Sequence, residues 1–419
     1  MCRTLKGKLK ILMLPRETCD SHTGSVHISL LLCNNYLSMP FSISPGIDKR
    51  TTVIRLLCFF WLLAKAISWK VWLAHRLFPV VPPFEFLFVP PAIHLLLFIL
   101  CLAALLGLLI IPWNRLLQVS VIIVEVMSCS LDQNRWQPWE YEYIFIMLAL
   151  LVNYKIEKNA LSSIAFIFAS IYFFSGISKM NPVFSISVRN EIAGSAIVHL
   201  HNSALNGWLA YHLGYALGAM ESLLGIGLFF RRTAKVSSIL LIIMHLLILA
   251  ILGPFGADYD RIVWPWNIFM IIILFVFFIA GKPVSISFHS ARYGWNKLIV
   301  ILFGILPVLN FYGYWDFYLS SSLFSSRPPE MYICIQHAGS GKVLQPFFGG
   351  YKSKLLCDST SSMINVRDWS FKEMQSPVYP EIRVYKSMKE QLLLRYPDMS
   401  ATFIVNPYNN GVKKKIRLP

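Results

Sequence analysis

Three ionisable side chains sit inside apolar runs, where a charge is expensive. They are Lys179 in "FFSGISKMNPVF" (173–184), Glu221 in "YALGAMESLLGIGLFF" (215–230) and His245 in "IIMHLLILAIL" (242–252). A lysine that is desolvated in an apolar site loses preference for its ammonium form and can act as a base near neutral pH. The same residue near a helix end can instead snorkel to lipid headgroups as an anchor. Glu221, a mid-run carboxylate, needs a partner, and the sequence offers His245 for a pair supporting Lys179. Gly176, about one turn before Lys179, lets a flat ligand or a neighbouring helix come close. Asn181-Pro182 then ends the helix and leaves carbonyls to orient the amine.

Three polar, aromatic-rich stretches surround these residues. "LDQNRWQPWEYEY" (131–143) offers Asp132, Arg135 and Trp136, "SGISKMNP" (175–182) offers Gly176 and Asn181, and "GPFGADYDRIVWPWN" (253–267) offers Trp264, Trp266 and Asn267. Glycine and proline let the backbone leave the helix, which a membrane tolerates only where protein or a water-lined cavity satisfies the freed groups. With all three at one membrane face, the expectation is an outward-facing polar cavity lined by these eight residues. Taken singly, the tryptophans also fit an interfacial aromatic belt.

The elements that must position this chemistry are apolar helices. Of the 419 residues 56% are hydrophobic and only 14% charged, values that indicate an integral membrane protein. The net charge of +17 is scattered through short loops rather than gathered with aromatics on one face, which excludes a nucleic-acid surface. About nine segments approach the roughly 20 residues that cross a bilayer: 51–69, 90–112, 115–130, 139–154, 158–179, 208–230, 233–252, 263–281 and 296–313. Loop Lys and Arg divide about eleven to six in favour of a cytoplasmic N-terminus and an extracytoplasmic C-terminus. The predicted fold is therefore an all-α polytopic membrane domain over 51–325, preceded by a disordered extension or alternative start over 1–50. A small α+β extramembrane domain follows over 326–419, with strands at "MYICIQ", "ATFIV" and "VKKKIRL", a helix at "YPEIRVYKSMKEQLLLRYP" and a hairpin turn at "NPYNNG". Cys334 and Cys357 are candidates for a disulfide there. No cysteine spacing suits a metal site, "HAGSGK" departs from a phosphate loop at Gln336 and Val343, and the His199/His201 pair lacks a third ligand.

"IYFFSGISKM" (171–180), Glu221 ahead of "LLGIGLFFRR", and helix-borne His245 followed by a Gly- and Phe-containing turn resemble the vitamin K-dependent γ-carboxylase family and its bacterial relatives, the horizontally transferred transmembrane (HTTM) domains. The likeness covers about residues 51–325. It implies a quinone or hydroquinone cofactor, with Lys179 in the position of the base that deprotonates the hydroquinone. Trp139 stands where that family carries a histidine, and the outer domain is far smaller, so the resemblance implies quinone-linked redox or base chemistry rather than glutamate carboxylation. The alternative class is a non-catalytic membrane partner that holds lipid or quinone while its outer domain docks an electron-transfer or secretion protein. A transporter is not expected, since the spans show no inverted repeat.

Overall fold

Proline and asparagine set the helix starts in the apolar part of the chain. The computed structural model describes residues 48–194, 203–252, 261–322, 324–349, 356–357, 361–409 and 412–418. Helix α1 (Lys49–Ile67) is capped by the Asp48 carboxylate, which accepts the Arg50 N–H, and α2 (Trp69–Trp72) follows at once. Proline occupies the first turn of α3 (Pro91–Ile110) and of α5 (Pro138–Val152), where its missing N–H costs nothing. Between them, the Asn114 side chain caps α4 (Arg115–Leu131). Helix α6 (Glu157–Lys179) stops at the Asn-Pro step. There Asn181 Oδ1 accepts the Phe184 N–H at 3.0 Å, so that a new helix, α7 (Pro182–Gly194), begins. Helices α8 (Ser203–Gly227), α9 (Ala234–Leu252) and α10 (Val263–Leu274) follow, the last continuing as a π-helical turn through Ile279. Short helices α11 (Phe288–Arg292), α12 (Asn296–Val300) and α13 (Leu306–Leu309) complete this part, the last two joined by a π-helical turn.

The apolar segments read from the sequence therefore all coincide with helix. Among the described residues, however, only α3, α6 and α9 are long and apolar enough to cross a membrane; Val263–Ile279 and Asn296–Tyr312 are apolar but shorter. The shortfall against about nine spans has local causes. Helix α1 carries Lys49, Arg50, Arg55 and Lys65, while α4 and α5 are only 17 and 15 residues long.

Aromatic packing fills the centre: Tyr143 of α5 meets Trp61 of α1 at 5.6 Å and Phe269 of α10 at 5.2 Å, and Phe168 of α6 meets Phe269 at 6.4 Å. Helices α6, α7 and α8 approach more closely through glycine. A Cβ on Gly176 would lie 2.4 Å from Ser222 N, one on Gly225 2.7 Å from Phe173 N, and one on Gly214 2.6 Å from Ser185 Cα. The space that Gly176 leaves open is thus filled by a neighbouring helix.

The C-terminal part is a four-stranded antiparallel sheet with helices on it. Its strands are β1 (Glu330–His337), β2 (Ser362–Asn365), β3 (Ser400–Asn406) and β6 (Ile416–Arg417), in the order β2-β1-β3-β6. Helices α14 (Val366–Met374) and α15 (Ile382–Arg395) accompany them, and Cys334 is bonded to Cys357. The "NPYNNG" turn is a hairpin, with β4 (Tyr408–Asn409) paired to β5 (Val412–Lys413) in register Tyr408↔Lys413. "VKKKIRL" splits into β5 and β6 on different partners, and "HAGSGK" runs into a 3-10 helix over Gly339–Phe347. The 1–50 extension up to residue 47, and the His199/His201 pair, lie outside the described residues.

Glu381, just before α15, accepts the Phe317 N–H at 2.9 Å, and burial, with Asp316 nearby, pushes its carboxyl up to about 7. A raised folded-state value means that its contribution is present at low pH and lost as pH rises through about 7. Thermal midpoints from pH 5 to 8 should show this decline, and Glu381→Gln should flatten it. Gly176→Ala forces backbone against backbone and should destabilise by about 1–3 kcal/mol. Gly304→Ala, whose Cβ would press on the tip of the Phe166 ring and otherwise make ordinary contact with side-chain atoms, should shift the detergent-phase melting midpoint less. Equal shifts would show that Gly176 does not set the α6–α8 distance.

Candidate functional site

Lys179 is the last residue of α6, and Ser175 stands one turn earlier on the same face. Its Nζ donates to Ser175 Oγ at 3.0 Å and to Glu221 Oε2 of α8 at 2.5 Å. The glycine seam makes this contact possible: a Cβ on Gly218, about one turn before Glu221, would lie 3.2 Å from Lys179 Cβ. The two side chains are 15% and 7% exposed, so the ion pair is largely shielded from water. Glu221 therefore finds its partner in Lys179, not in His245 as the sequence suggested. Lys179 and Glu221 meet across the α6–α8 seam, whereas His245 of α9 bonds Tyr172 and Asn267 instead. The Asn181-Pro182 break does not orient the amine either, since the Ser175 hydroxyl and Glu221 do so.

His245 belongs to a second polar chain. Asn267 Nδ2 donates to Val263 O at 2.7 Å, which turns Asn267 Oδ1 toward the imidazole, 2.6 Å from His245 Nδ1. That contact assigns the proton to Nδ1 and leaves Nε2 as acceptor for the Tyr172 hydroxyl at 2.7 Å. Tyr172, His245 and Asn267 are all buried. The result is a phenol hydroxyl held on an imidazole that an amide orients, with the hydroxyl positioned by α6, the imidazole by α9 and the amide by α10. Tyr172 precedes Lys179 by seven residues and so shares its helix face about two turns away. Tyr172 and Ser175 lay inside the quoted motif, but their types alone did not single them out.

The stretch 131–143 has a different task. Arg135 is fully buried, and its guanidinium donates to Val71 O, Trp72 O, Ser128 O and Ser128 Oγ and meets His94 Nδ1, joining α2, α3 and α4. Asp132 pairs with Arg76 and accepts the Val81 N–H. Asn134 Oδ1 accepts the Tyr379 N–H, and Gln137 Nε2 donates to Pro377 O, so this stretch holds the C-terminal part. Asn181 Nδ2 likewise donates to Ser325 O. Asp132, Arg135 and Asn181 thus bond the protein itself rather than line an open cavity. Trp136, Trp264 and Trp266 are half-buried, and Trp266 lies 5.5 Å from Tyr143. Trp139 is buried, which removes it from an interfacial belt. The 253–260 part of the third stretch lies outside the described residues.

A second charged centre joins α1, α4 and α5. Lys65 of α1 donates to Glu125 Oε2 of α4 at 2.9 Å and lies 3.6 Å from Glu140 Oε2 of α5, with all three side chains enclosed. Trp61 Nε1 donates to Glu140 at 2.8 Å, and Lys65 Nζ sits 3.1 Å from the centre of the Trp72 ring. The signal was available, since Lys65 and Glu125 interrupt apolar runs just as Glu221 does. Glu125, Cys129 and Glu140 place ligand atoms within 4.8 Å of one another, a geometry that could hold a cation. The Lys65 ammonium already fills that role toward both carboxylates.

No protein family, curated protein or solved structure matches the chain.

Replacing Lys65 by Met strands two buried carboxylates and should destabilise by about 3–5 kcal/mol. The Lys65→Met/Glu125→Gln/Glu140→Gln triple variant should recover most of that loss in detergent unfolding. A triple variant that is weaker still would show that the three residues act separately.

Proposed function

We propose that the chain is a polytopic integral membrane protein of the γ-carboxylase-like, HTTM type, with about nine spans, a cytoplasmic N-terminus and an extracytoplasmic C-terminal part. We further propose that it binds a quinone- or hydroquinone-class molecule beside Lys179 and Glu221 and performs quinone-linked base or redox chemistry there. Three helices of spanning length and composition support the membrane location. The observation that carries the chemical reading is the alignment of two proton-handling groups along α6. The Lys179–Glu221 ion pair stands at its end, and the Tyr172–His245–Asn267 chain lies about two turns deeper.

The chemistry follows from this pairing. An ammonium held on a carboxylate is not itself a base, but passing one proton to Glu221 leaves a neutral amine facing a neutral acid. That amine can take the proton of a hydroquinone hydroxyl, which yields the hydroquinone monoanion and a Lys179 ammonium beside it. Glu221 also lies within electrostatic reach of Tyr172 and His245, so its charge acts on the hydroxyl and imidazole of that chain. In this reading Lys179 and Glu221 carry the proton transfer, and His245 acts beside them through the Tyr172 hydroxyl that it holds. The second reading, a non-catalytic partner that holds lipid or quinone, is favoured by how fully the Lys179, His245 and Asn267 bonds are met within the protein.

Lipid extraction of protein purified in mild detergent should release an isoprenoid quinone. Lys179→Ala/Glu221→Ala should retain at least about tenfold less at matched fold, the loss expected when about 1.4 kcal/mol of binding is removed. A wild-type protein that carries no quinone and gains no thermal stability from added hydroquinone would end the ligand proposal. With a phenolic hydroquinone analogue, wild type should show absorbance of the anion and Lys179→Arg should not, because arginine keeps the charge but cannot accept a proton at neutral pH. Equal binding without anion absorbance in both would select the non-catalytic reading. Reporter tags at the two ends should label opposite membrane faces.

A further inference from the structure

A basic cleft of about 650 Å³ opens between the α2–α3 connection and the C-terminal part, away from Lys179 and Glu221. Lys70, His75 and Arg76 line one wall; Lys372, Glu373 and Arg395 line the other. The charges that face one another here are not self-compensating. Among the described residues its one acidic side chain, Glu373, is buried and held in the fold, where it accepts the Leu77 and Phe78 N–H groups at 2.5 and 3.0 Å and the Trp369 indole N–H at 2.8 Å. Arg76 is consumed as a brace: its guanidinium donates to Val71 O and Phe78 O and pairs with Asp132. Lys70 and Lys372 form no ion pair among the described residues, although Asp368, one turn before Lys372 on α14, lies within electrostatic reach of it. Arg395 places Nη1 on Leu77 O at 2.9 Å and keeps its remaining donors on an exposed guanidinium.

We propose that this cleft binds a phosphate-bearing anion, with Lys70, Lys372 and Arg395 as its ligands. Three cations converge on a space of the size that holds a small ligand, and the local backbone is fixed by the Arg76 and Glu373 bonds. The same α2–α3 connection exposes Phe84, Phe86 and Phe88, and Trp69 beside Lys70 is exposed as well. Apolar side chains of this kind next to lysines are the arrangement of a protein surface at headgroup depth, where aromatic rings enter the lipid and cations meet its phosphates. An anionic phospholipid headgroup is therefore the source that the surroundings favour, and a soluble organophosphate shares the same chemistry. The cleft itself does not depend on the quinone reading; only the choice of lipid as source rests on the membrane location.

The test uses the full chain in detergent, analysed by native mass spectrometry with phosphatidylglycerol or phosphatidylcholine added to the micelle. Wild type should retain phosphatidylglycerol about tenfold or more over phosphatidylcholine. Lys70→Gln/Lys372→Gln should lose about tenfold or more of that retention, the fall expected when two lysines are removed from an anionic surface. Its phosphatidylcholine adducts and thermal midpoint should be unchanged, since neither lysine holds the fold together. Equal retention of the two lipids by wild type, or undiminished phosphatidylglycerol retention by the variant, would overturn the proposal. Glycerol 3-phosphate distinguishes the sources. If it displaces the lipid and raises the midpoint of wild type but not of the variant, the ligand is a soluble phosphate; if it does neither while the lipid preference holds, the ligand is the headgroup. Protein that stays soluble without detergent yet still responds to glycerol 3-phosphate would remove the membrane reading and leave the anion site standing.

Discussion

A charged side chain enclosed by apolar helices must meet an opposite charge or a full set of hydrogen bonds, because leaving one member unpaired costs several kcal/mol. Three such groups join helices distant in sequence. Lys65 ties α1 to α4 and α5, Arg135 ties the α4–α5 link to α2 and α3, and Lys179 ties α6 to α8. The pairing requirement thus selects which helices become neighbours among many apolar surfaces that could pack almost interchangeably.

Small residues and aromatic rings then bring those partners within reach. Gly176 and Gly218 let α6 and α8 approach until Glu221 meets Lys179, and the ring cluster of Trp61, Tyr143 and Phe269 holds α1, α5 and α10 around the Lys65 centre. The same economy links the helical and sheet-bearing parts. Asn134, Gln137 and Glu373 satisfy main-chain groups across that junction, so the stretch between α4 and α5 is committed to assembly. The basic cleft forms at this junction because Glu373 faces inward and leaves the outer cations uncompensated.

Periodicity and hydropathy reveal elements better than partners. Each apolar segment became helix, and "MYICIQ", "ATFIV" and the α15 segment took their expected forms, because local propensity and burial agree there. Asn181-Pro182 reads as a stop in the sequence, although the same pair caps and starts helix α7. Glu221 was recognised as needing a partner, but the choice between His245 and Lys179 depends on how α8 rotates against α6, which no linear pattern records. Arg135 looked like a ligand contact because a sequence cannot show that the carbonyls of Val71 and Trp72 surround it. Lys65 and Glu125 were legible in principle, yet a lone charge near the end of an apolar run also fits an anchor.

Lys179 and Glu221 form one shielded unit whose bonds His245 does not share. A double-mutant cycle on the thermodynamic stability of Lys179→Met and Glu221→Gln in detergent addresses it directly, with His245→Leu and Glu221→Gln as the second cycle. The account predicts a coupling of about 1–3 kcal/mol for the first cycle, in the range found for residues in direct contact, and a coupling several times smaller for the second. Additive losses for Lys179 and Glu221, or the larger coupling between Glu221 and His245, would contradict it.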